Sequence, residues 1–387
     1  MDFADSPDEA EFRARLRSWL AESLPPGWAQ RPPQVGHHDV GLRWEWARTL
    51  YDGGYAGLTW PAEYGGGGKP YSYQAIFHEE AGLAGAPEHI GAIGLGMAGP
   101  TIIVHGTAEQ KKKHLAPILS GETIFCQGFS EPGSGSDLAS ISTRAALDGD
   151  AYLVNGQKVW SSWAHLADFC ILLTRSDPAG GHRGLTYFLL DMHSPGVEVR
   201  PLRQITGDPE FNEIFLSDVR IPVEDVVDVP GNGWSVAMTT LLHERGTLGF
   251  SLTAHLEGNF RRLVQTARAL GAADDPVVRD EIAGRYFDVQ ALRYTNYRSL
   301  TALMKTGVPG PEGSVSKLVW SELAQRLTSL ALRLLGPDAQ LDGADGFWAG
   351  FWQFQQLRSR GNTIEAGTSE VLRNIIAERV VGLPRSR

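Results

Sequence analysis

The middle of the chain, residues 121–228, is a succession of short strand-like segments that no helical pattern interrupts. Two dipeptides typical of hairpin turns, Asp148-Gly149 and Asn155-Gly156, lie between runs of alternating polar and apolar residues. Further strands are predicted for FCILLTR, LTYFLLDM, VEVRPL and EIFLSDVRIP. Consecutive short strands without intervening helices favour an antiparallel sandwich or barrel over a parallel α/β sheet.

The segments on both sides of this sheet are predicted to be helical. Near the N-terminus, Ser6–Glu9 has the sequence of a capping box with a proline at the first helical position, and Thr107–Gln110 is a second capping box. Towards the C-terminus, Asp275-Pro276 predicts the start of a long helix. Ser314–Leu335 predicts another helix, which Gly336-Pro337 ends.

This order predicts an α+β multidomain protein. We expect an N-terminal α-helical domain over residues 1–120, a middle antiparallel β-barrel-like domain over residues 121–228 and a C-terminal α-helical domain over residues 229–387. With 387 residues and 42% hydrophobic side chains, the chain is long enough to form several cores.

The composition excludes several classes of protein. The formal net charge is -10 and the one run of basic residues is Lys111–Lys113, so a nucleic-acid partner is not expected. Two isolated cysteines, Cys126 and Cys170, form no CxxC pattern or Cys/His cluster, which predicts neither a disulfide framework nor a metal site. The acidic N-terminal sequence lacks the apolar core of a signal peptide, and no apolar run reaches the ~18 residues of a membrane span. We therefore expect a cytoplasmic protein with reduced thiols and no membrane partner.

One glycine-rich motif has the spacing of a dinucleotide-binding loop but lacks its context. Gly94, Gly96 and Gly99 fit GxGxxG, but the flanking residues predict no βαβ unit, and the position about 20 residues further on holds no acid. We interpret these glycines as small residues at a place where another backbone approaches closely.

The most specific stretch of the sequence is CQGFSEPGSGSD, residues 126–137. A strand-like run there leads into a loop of glycines and serines, whose hydroxyls and backbone N–H groups can point at a polar ligand. The segment NGQKVWSSWAHLAD follows at residues 155–168 and places Trp160 two residues before Ser162. A flat aromatic ring beside a hydroxyl suits a planar heterocycle. Each segment alone would be typical of an ordinary loop in a β domain.

Taken together, these segments resemble those of the acyl-CoA dehydrogenase family. The resemblance is ordered along almost the whole chain: LTWPAEYGGGG and GTAEQKKKHLAPILSGE precede FSEPGSGSD and NGQKVWSSWAHLAD, and FNEIFLSDVRIP, GNGWSVAMTTLLHERG and AGTSEVLRNIIAERVVGLP follow. It implies the fold of that family, with an N-terminal helical domain, a β-barrel-like middle domain and a C-terminal four-helix bundle. It also implies FAD as cofactor, an acyl-CoA thioester as substrate, an electron-transfer flavoprotein as electron acceptor and usually a homotetramer.

The resemblance also implies roles for individual residues. The FSEPGSGSD loop matches the segment that holds flavin and the head of the thioester, and Trp160 and Ser162 match the pair beside the isoalloxazine ring. The GTSE segment matches the residues that meet the AMP or ribityl part of the cofactor. The implied cofactor-binding residues are Gln127, Phe129, Ser130, Ser136, Trp160, Ser162, Gly336, Thr368 and Glu370. The implied substrate-binding residues are Ser136, Arg245 and Gly367.

Two glutamates compete for the role of the base that removes the substrate α-proton. By resemblance, the base lies either immediately before the Gly-Thr of the C-terminal motif, where this chain has Ala366, or before the arginine of LLHERG, where it has Glu244. Glu244 also falls on an apolar helical stripe, where an idle carboxylate would be costly. The other members of the stripe are Ala237, Leu241, Leu248 and Leu252. Glu244 is the predicted base, Glu365 is the alternative, and a buried Glu244 paired with a distant arginine stays open.

The predicted function is dehydrogenation of an acyl-CoA to a 2,3-enoyl-CoA, with a glutamate base and hydride transfer to flavin N5. The chain departs from many relatives in two places. It lacks an Arg-Lys-Thr-Phe-Gly stretch, and it has RLLGPD at residues 333–338 where they have Gln-x-Phe-Gly-Gly. A homodimer or a heteromer therefore stands beside the homotetramer as a possible assembly. The alternative functions are a flavin oxygenase or oxidase on the same fold and a non-catalytic subunit of a heteromeric acyl-CoA dehydrogenase.

Overall fold

The computed structural model describes residues 4–25, 28, 39–246, 248–307, 310–341 and 343–385. The contacts among them define two units. The described residues within 1–43, 69–88 and 245–387 form the helical unit, and those within 44–68 and 89–244 form the sheet unit. Among the described residues, no helix combines the length and the apolar character that crossing a membrane requires.

The sheet unit contains seven paired strands in the described part of the chain. They are β1 Phe125–Gly128, β2 Arg144–Asp148, β3 Ala151–Ser162, β4 Phe169–Arg175, β5 Leu185–Asp191, β6 Val197–Leu202 and β7 Phe211–Pro222. Their order is β1-β4-β2-β3-β7-β6, and β5 pairs with β4 off this path. Neighbours are antiparallel, except that β1 and β2 each run parallel to β4. This curled, largely antiparallel sheet confirms the predicted β-barrel-like middle domain.

The two predicted turns have different outcomes. Asp148-Gly149 forms the tight connection between β2 and β3, where Asp148 pairs with Ala151 and Gly149 has a φ of 63°. Asn155-Gly156 lies inside β3, so the prediction of a turn there is wrong. The register with β7 shifts between Val154 and Gly156, and the Asn155 amide donates to the Asp218 carboxylate over 2.9 Å. This is a β-bulge: β3 pairs with a long partner strand on both sides of it, and that pairing outweighs the local turn preference.

Eleven α-helices lie in the described part of the chain, and the four helix ends named from the sequence are confirmed. In chain order they are α1 Pro7–Ser23, α2 Val40–Asp52, α3 Tyr71–Leu83, α4 Gly99–His105, α5 Ala108–Ser120, α6 Gly233–Gly246, α7 Leu248–Ala269, α8 Pro276–Thr306, α9 Gly313–Leu335, α10 Phe351–Asn362 and α11 Ser369–Ile375. The Ser6 capping box precedes α1 and the Thr107 capping box precedes α5. Asp275 caps α8, and α9 stops immediately before Gly336.

Helices α7, α8, α9 and α10 of the helical unit share one apolar core. Leu263, Val289, Leu327 and Trp352, one from each helix, are fully buried in it. The Trp352 indole N–H donates to the Thr266 hydroxyl over 2.9 Å, so the polar atom of this large side chain is satisfied. This core confirms the predicted C-terminal helical bundle.

Helices α1 and α3 belong to the helical unit and are joined to it by buried charges. Arg13 on α1 donates to Glu79 and Glu80 on α3 over 2.7 and 2.6 Å, and Arg293 on α8 contacts Glu79 over 2.9 Å. Burial alone would raise the pKa of Glu80, but hydrogen bonds from Arg17 and Arg13 lower it below its ordinary value. Two N-terminal helices thus pack with the C-terminal ones, although they lie far away in sequence.

The GLGMAGP motif lies in a helical turn of the sheet unit. Gly94–Ala98 forms one turn of π-helix and leads directly into α4, so no strand precedes it. A Cβ atom on Gly99 would collide with the Trp60 ring, and one on Gly94 would lie 3.1 Å from Ile118. The predicted close approach is therefore real, but it comes mainly from side chains and not from a second backbone.

Candidate active site

A buried ion pair fixes the glycine–serine loop that follows β1. Lys158 on β3 is fully buried, and its Nζ donates to Glu131 Oε1 over 2.8 Å and to the Phe129 carbonyl over 3.0 Å. The Glu131 carboxylate also accepts hydrogen bonds from the backbone N–H groups of Ser142 at 2.7 Å and Thr143 at 2.9 Å. The start of the loop is thus held both by β3 and by the segment that leads into β2.

The protonation of this pair follows from its burial. Burial by itself would raise the pKa of Glu131, but the Lys158 ammonium and the N–H donors lower it to about 2. Burial also lowers the pKa of Lys158, and the Glu131 carboxylate opposes that change. Glu131 is therefore ionised at neutral pH and acts as a fixed acceptor for the loop.

The loop residues implied in cofactor binding lie close in sequence to the Lys158–Glu131 ion pair. The Phe129 ring packs edge-on against Tyr187 with 5.8 Å between ring centroids, and the Ser130 carbonyl accepts a backbone N–H from β3 over 2.9 Å. Gln127 is half-buried on β1, and Ser136 is exposed further along the loop. The backbone that presents these side chains is therefore held at its start and open towards Ser136.

Trp160 presents a flat ring at an irregular point of β3. Its φ is 63° and the residue is 60% exposed. The register with β7 shifts between Lys158 and Ser161, which marks a second bulge. Phe211 on β7 meets the indole edge-on at 6.0 Å, and Ser162 pairs with the same residue. An exposed large aromatic side chain on a strained backbone is typical of a ligand-binding surface.

Helix α6 carries the predicted base. Glu244 and Arg245 lie in its last turn, and their side chains lie outside the described part of the structure. Within the predicted stripe, Ala237 is fully buried and Leu241 packs against the same core. The Leu248 side chain also lies outside the described part. The described residues of the stripe on α6 are therefore apolar and face inward.

Two hydrogen-bond networks hold α6 within the sheet unit. The buried hydroxyls of Thr101 on α4 and Thr240 on α6 lie 2.9 Å apart, and the Tyr187 hydroxyl on β5 lies 3.1 Å from Thr240. On the neighbouring side, His105 Nε2 lies 2.9 Å from the Thr239 hydroxyl. The helix backbone that carries position 244 is therefore tied to both a strand and a helix.

Glu365, the alternative base, forms an ion pair in the helical unit. Its two carboxylate oxygens accept from Nη1 and Nη2 of Arg358 over 3.3 and 3.0 Å. Arg358 lies on α10, so the pair joins the end of that helix to the turn that follows it. Both carboxylate oxygens of Glu365 are therefore already occupied by the guanidinium of Arg358 within the helical unit.

The turn after Glu365 has an unusual backbone. Ala366 and Gly367 both have positive φ angles, 50° and 95°. The Gly367 carbonyl accepts a 2.7 Å hydrogen bond from the buried Lys317 on α9. Thr368 caps α11 by accepting the Val371 N–H over 3.2 Å. Among the described residues, the backbone N–H groups of Ala366 and Thr368 have no backbone acceptor.

This turn borders an open cleft of about 490 Å³ in the helical unit. Thr368 and Glu370, both implied in cofactor binding, line the cleft. The other lining residues are Glu322, Gln325, Thr363, Ile364, Ser369 and Arg373. The pKa of Glu370 lies below its ordinary value, chiefly because its carboxylate accepts from its own backbone N–H at the start of α11. Gly336 ends α9 with a φ of 58° and does not line this cleft.

The predicted residues thus fall into two groups, one in each unit. The loop, Trp160 and Ser162 belong to the sheet unit, and Gly336, Glu365 and the GTSE segment belong to the helical unit.

Sequence reasoning missed Lys158 and Lys317. A lysine inside a strand, as in GQKVW, was an available signal, because an amine buried there needs a partner. Nothing in the sequence marks the partner 27 residues away.

Comparisons with known proteins identify similar proteins along almost the whole chain. Three family models match: Acyl-CoA dehydrogenase, N-terminal domain, at residues 6–122, the middle domain at residues 126–219 and the C-terminal domain at residues 231–381. The chain is 41% identical over 392 residues to acyl-CoA dehydrogenase IpdE1 of Mycobacterium tuberculosis, covering 98% of each chain. It is 32% identical to acyl-CoA dehydrogenase FadE26 of the same species, covering 100% of each.

Solved structures give the same result. The structure of the Tcur3481-Tcur3483 steroid ACAD matches with a TM-score of 0.89 and 32% identity, covering 100% of each chain. The ChsE4-ChsE5 complex from Mycobacterium tuberculosis matches with a TM-score of 0.87 and 31% identity, again over 100% of each chain. The chain therefore belongs to the acyl-CoA dehydrogenase family.

Proposed function

We propose that this enzyme forms a 2,3-enoyl-CoA from an acyl-CoA and that Glu244 is its base. Glu244 removes the α-proton, the electron pair of that C–H bond forms the new double bond, and the β-hydrogen leaves with its own electron pair. FAD, held by the residues named below, would supply the acceptor for that hydride at flavin N5. The observation that carries the choice of base is the Arg358–Glu365 ion pair.

The C-terminal motif offers no better base. The position immediately before its Gly-Thr holds Ala366, which has no acid–base group. Glu365, one residue earlier, is engaged at both oxygens by Arg358. Removing a weakly acidic α-proton requires a carboxylate that is desolvated and not neutralised by a permanent cation.

The surroundings of α6 support Glu244. Thr240, one helical turn earlier, is fully buried and hydrogen-bonded to Thr101, and Ala237 on the apolar stripe is also fully buried. Residues three and four apart share a face of a helix. A base on this face would be carried by a helix that hydrogen bonds hold on two sides.

The residues present fit FAD. Trp160 supplies an exposed flat ring for a flavin, with Ser162 as a hydroxyl at the end of the same strand. The 126–137 loop would hold the flavin edge with Gln127, Phe129, Ser130 and Ser136. In the helical unit, the cleft beside Thr368 and Glu370 would take the AMP or ribityl part. The Ser369 hydroxyl there is buried and has no hydrogen-bond partner among the described residues, as a ligand-binding group would. Gly336 remains assigned to the cofactor by resemblance alone.

The substrate head is assigned to the strained turn. Negative charge develops on the thioester oxygen as the α-proton leaves, so hydrogen-bond donors must point at it. The unused N–H group of Ala366 is a fixed donor of that kind, and Gly367 is assigned to the substrate by resemblance. Ser136 and Arg245 would contact other polar parts of the thioester.

Replacing each glutamate by glutamine tests the base. Glu244→Gln should abolish the bleaching of the flavin absorbance by acyl-CoA, and Glu365→Gln, the matched control, should bleach at a rate close to that of the unmodified enzyme. Both proteins should retain the yellow cofactor. Bleaching by Glu244→Gln together with its loss in Glu365→Gln would reverse the assignment.

The substrate is proposed to be a ring-bearing acyl-CoA. The support is the name of one solved relative, a steroid ACAD, at 32% identity over the full length. Titrating the flavin absorbance with a panel of CoA thioesters tests this: a steroid-derived thioester should bleach it at lower concentration than straight-chain thioesters. Preference for a straight chain would contradict the proposal.

The assembly and the electron acceptor are also proposals. The names of two solved relatives each join two chains, which supports a heteromer beside the homotetramer or homodimer implied by sequence. Light scattering on the purified chain, together with a measurement of its FAD content, distinguishes a heteromer from a homotetramer or a homodimer.

An electron-transfer flavoprotein is the proposed electron acceptor. Rapid oxygen consumption by the substrate-reduced enzyme would instead indicate an oxidase.

A further inference from the structure

We infer that Lys317 is a positioning residue for the turn assigned to the cofactor and the thioester, an inference that rests on the proposed function. Lys317 lies early in α9 and is 7% exposed. Its Nζ donates to the carbonyl of Gly367 over 2.7 Å. A buried cation on α9 thus forms a hydrogen bond with the backbone of a turn 50 residues further along the chain.

The contact sets the direction of a donor on the other side of the peptide. No peptide bond among the described residues is cis. In a trans peptide the carbonyl and the N–H point in opposite directions. Because the Gly367 carbonyl points at Lys317, the N–H of Thr368 points away from it. That N–H has no acceptor among the described residues, so it is available to a ligand.

The same contact holds a backbone that would otherwise relax. Ala366 has a φ of 50°, a region that residues with a Cβ atom rarely occupy. The Arg358–Glu365 pair holds the turn on one side of this residue, and the Lys317 contact holds it on the other. A hydrogen bond from an ammonium group is roughly twice as strong as a neutral one. Lys317 therefore keeps the N–H groups of the turn aligned before any ligand binds.

The test compares Lys317→Met with Lys305→Met, which removes the same charge from an exposed position of α8. FAD is added back to deflavinated protein, and binding is followed by the quenching of its fluorescence. Lys317→Met should raise the Kd for FAD by at least about tenfold and shift the flavin absorbance band, whereas Lys305→Met should change neither. Equal Kd values for the two variants would overturn the inference.

Unfolding of the deflavinated proteins is measured in parallel. A purely structural role would lower the stability of Lys317→Met and leave the Kd and the absorbance band of the folded protein unchanged, which also overturns the inference. If Lys317→Met does not fold, Lys317→Gln replaces it, since its amide is one bond shorter and does not reach the Gly367 carbonyl. Failure of the unmodified protein to take up FAD would refute the proposed function itself.

Discussion

Lys158 and Glu131 form a 2.8 Å ion pair inside the sheet unit, at the point where the 126–137 loop leaves β1. The lysine side chain is 0% exposed and the glutamate side chain 5% exposed. The pair therefore holds the start of the loop against β3. The Glu131 carboxylate is ionised at neutral pH, because the Lys158 ammonium and N–H donors lower its pKa.

Breaking this pair should destabilise the protein strongly. Glu131→Gln leaves a buried ammonium without its counter-charge, which costs about 3–5 kcal/mol in the free energy of unfolding. Urea unfolding followed by circular dichroism measures the change. The control is Arg220→Ala at the exposed Arg220–Asp148 pair, where the loss should stay below about 1 kcal/mol. Equal losses in the two variants would contradict a fastening role.

The same pair predicts a specific acid sensitivity. The pKa of Glu131 is about 2 in the folded protein, against an ordinary value of 4.5. Between these values the unfolded chain binds a proton that the folded protein does not, so the free energy of unfolding falls as the pH falls. The full contribution is present above pH 4.5 and amounts to about 3 kcal/mol. The difference in stability between the unmodified protein and Glu131→Gln should therefore shrink from pH 5 to about pH 2.

The bulge at Gly156 should be intolerant of a side chain. A Cβ atom there would lie 2.5 Å from the Thr143 hydroxyl and 2.7 Å from the Thr143 Cα, so the backbone of the neighbouring segment would have to move. Gly156→Ala should cost more than about 2 kcal/mol. Gly149→Ala is the control, because its Cβ meets nothing within 4 Å and its positive φ alone costs about 1 kcal/mol. Thermal unfolding of both variants measures the two losses of stability, and the loss in Gly156→Ala should be the larger.

Trp160 should matter for the cofactor and little for the fold. Because the ring is 60% exposed, Trp160→Ala should change the free energy of unfolding of the deflavinated protein by less than about 1 kcal/mol. Loss of the stacking surface should raise the Kd for FAD by about tenfold or more. The matched control is Leu147→Ala, which removes another exposed apolar side chain from the sheet unit and should leave FAD binding unchanged. A normal Kd in Trp160→Ala would remove this residue from the site.

Patterns within a few residues predicted much of the fold. The capping boxes at Ser6 and Thr107, the start of α8 at Asp275 and the end of α9 before Gly336 are all confirmed. The failure at Asn155-Gly156 has a clear cause, since a turn dipeptide competes with strand pairing that the local sequence does not contain. The ordered motifs along the chain predicted the acyl-CoA dehydrogenase family, and the comparisons confirm it.

The sequence by itself determined the order of helical and strand regions, the family and the list of candidate residues, because helix caps, hydrophobic periods and motifs are local along the chain. Only the tertiary structure decided that Glu131 pairs with Lys158, that Glu365 is engaged by Arg358 and that Lys317 grips the Gly367 carbonyl. Packing brings Glu131 to Lys158 and Gly367 to Lys317 across long stretches of chain, and the conformation of the turn after α10 brings Glu365 back to Arg358. The desolvation that strengthens a buried charge exists only after the chain has folded.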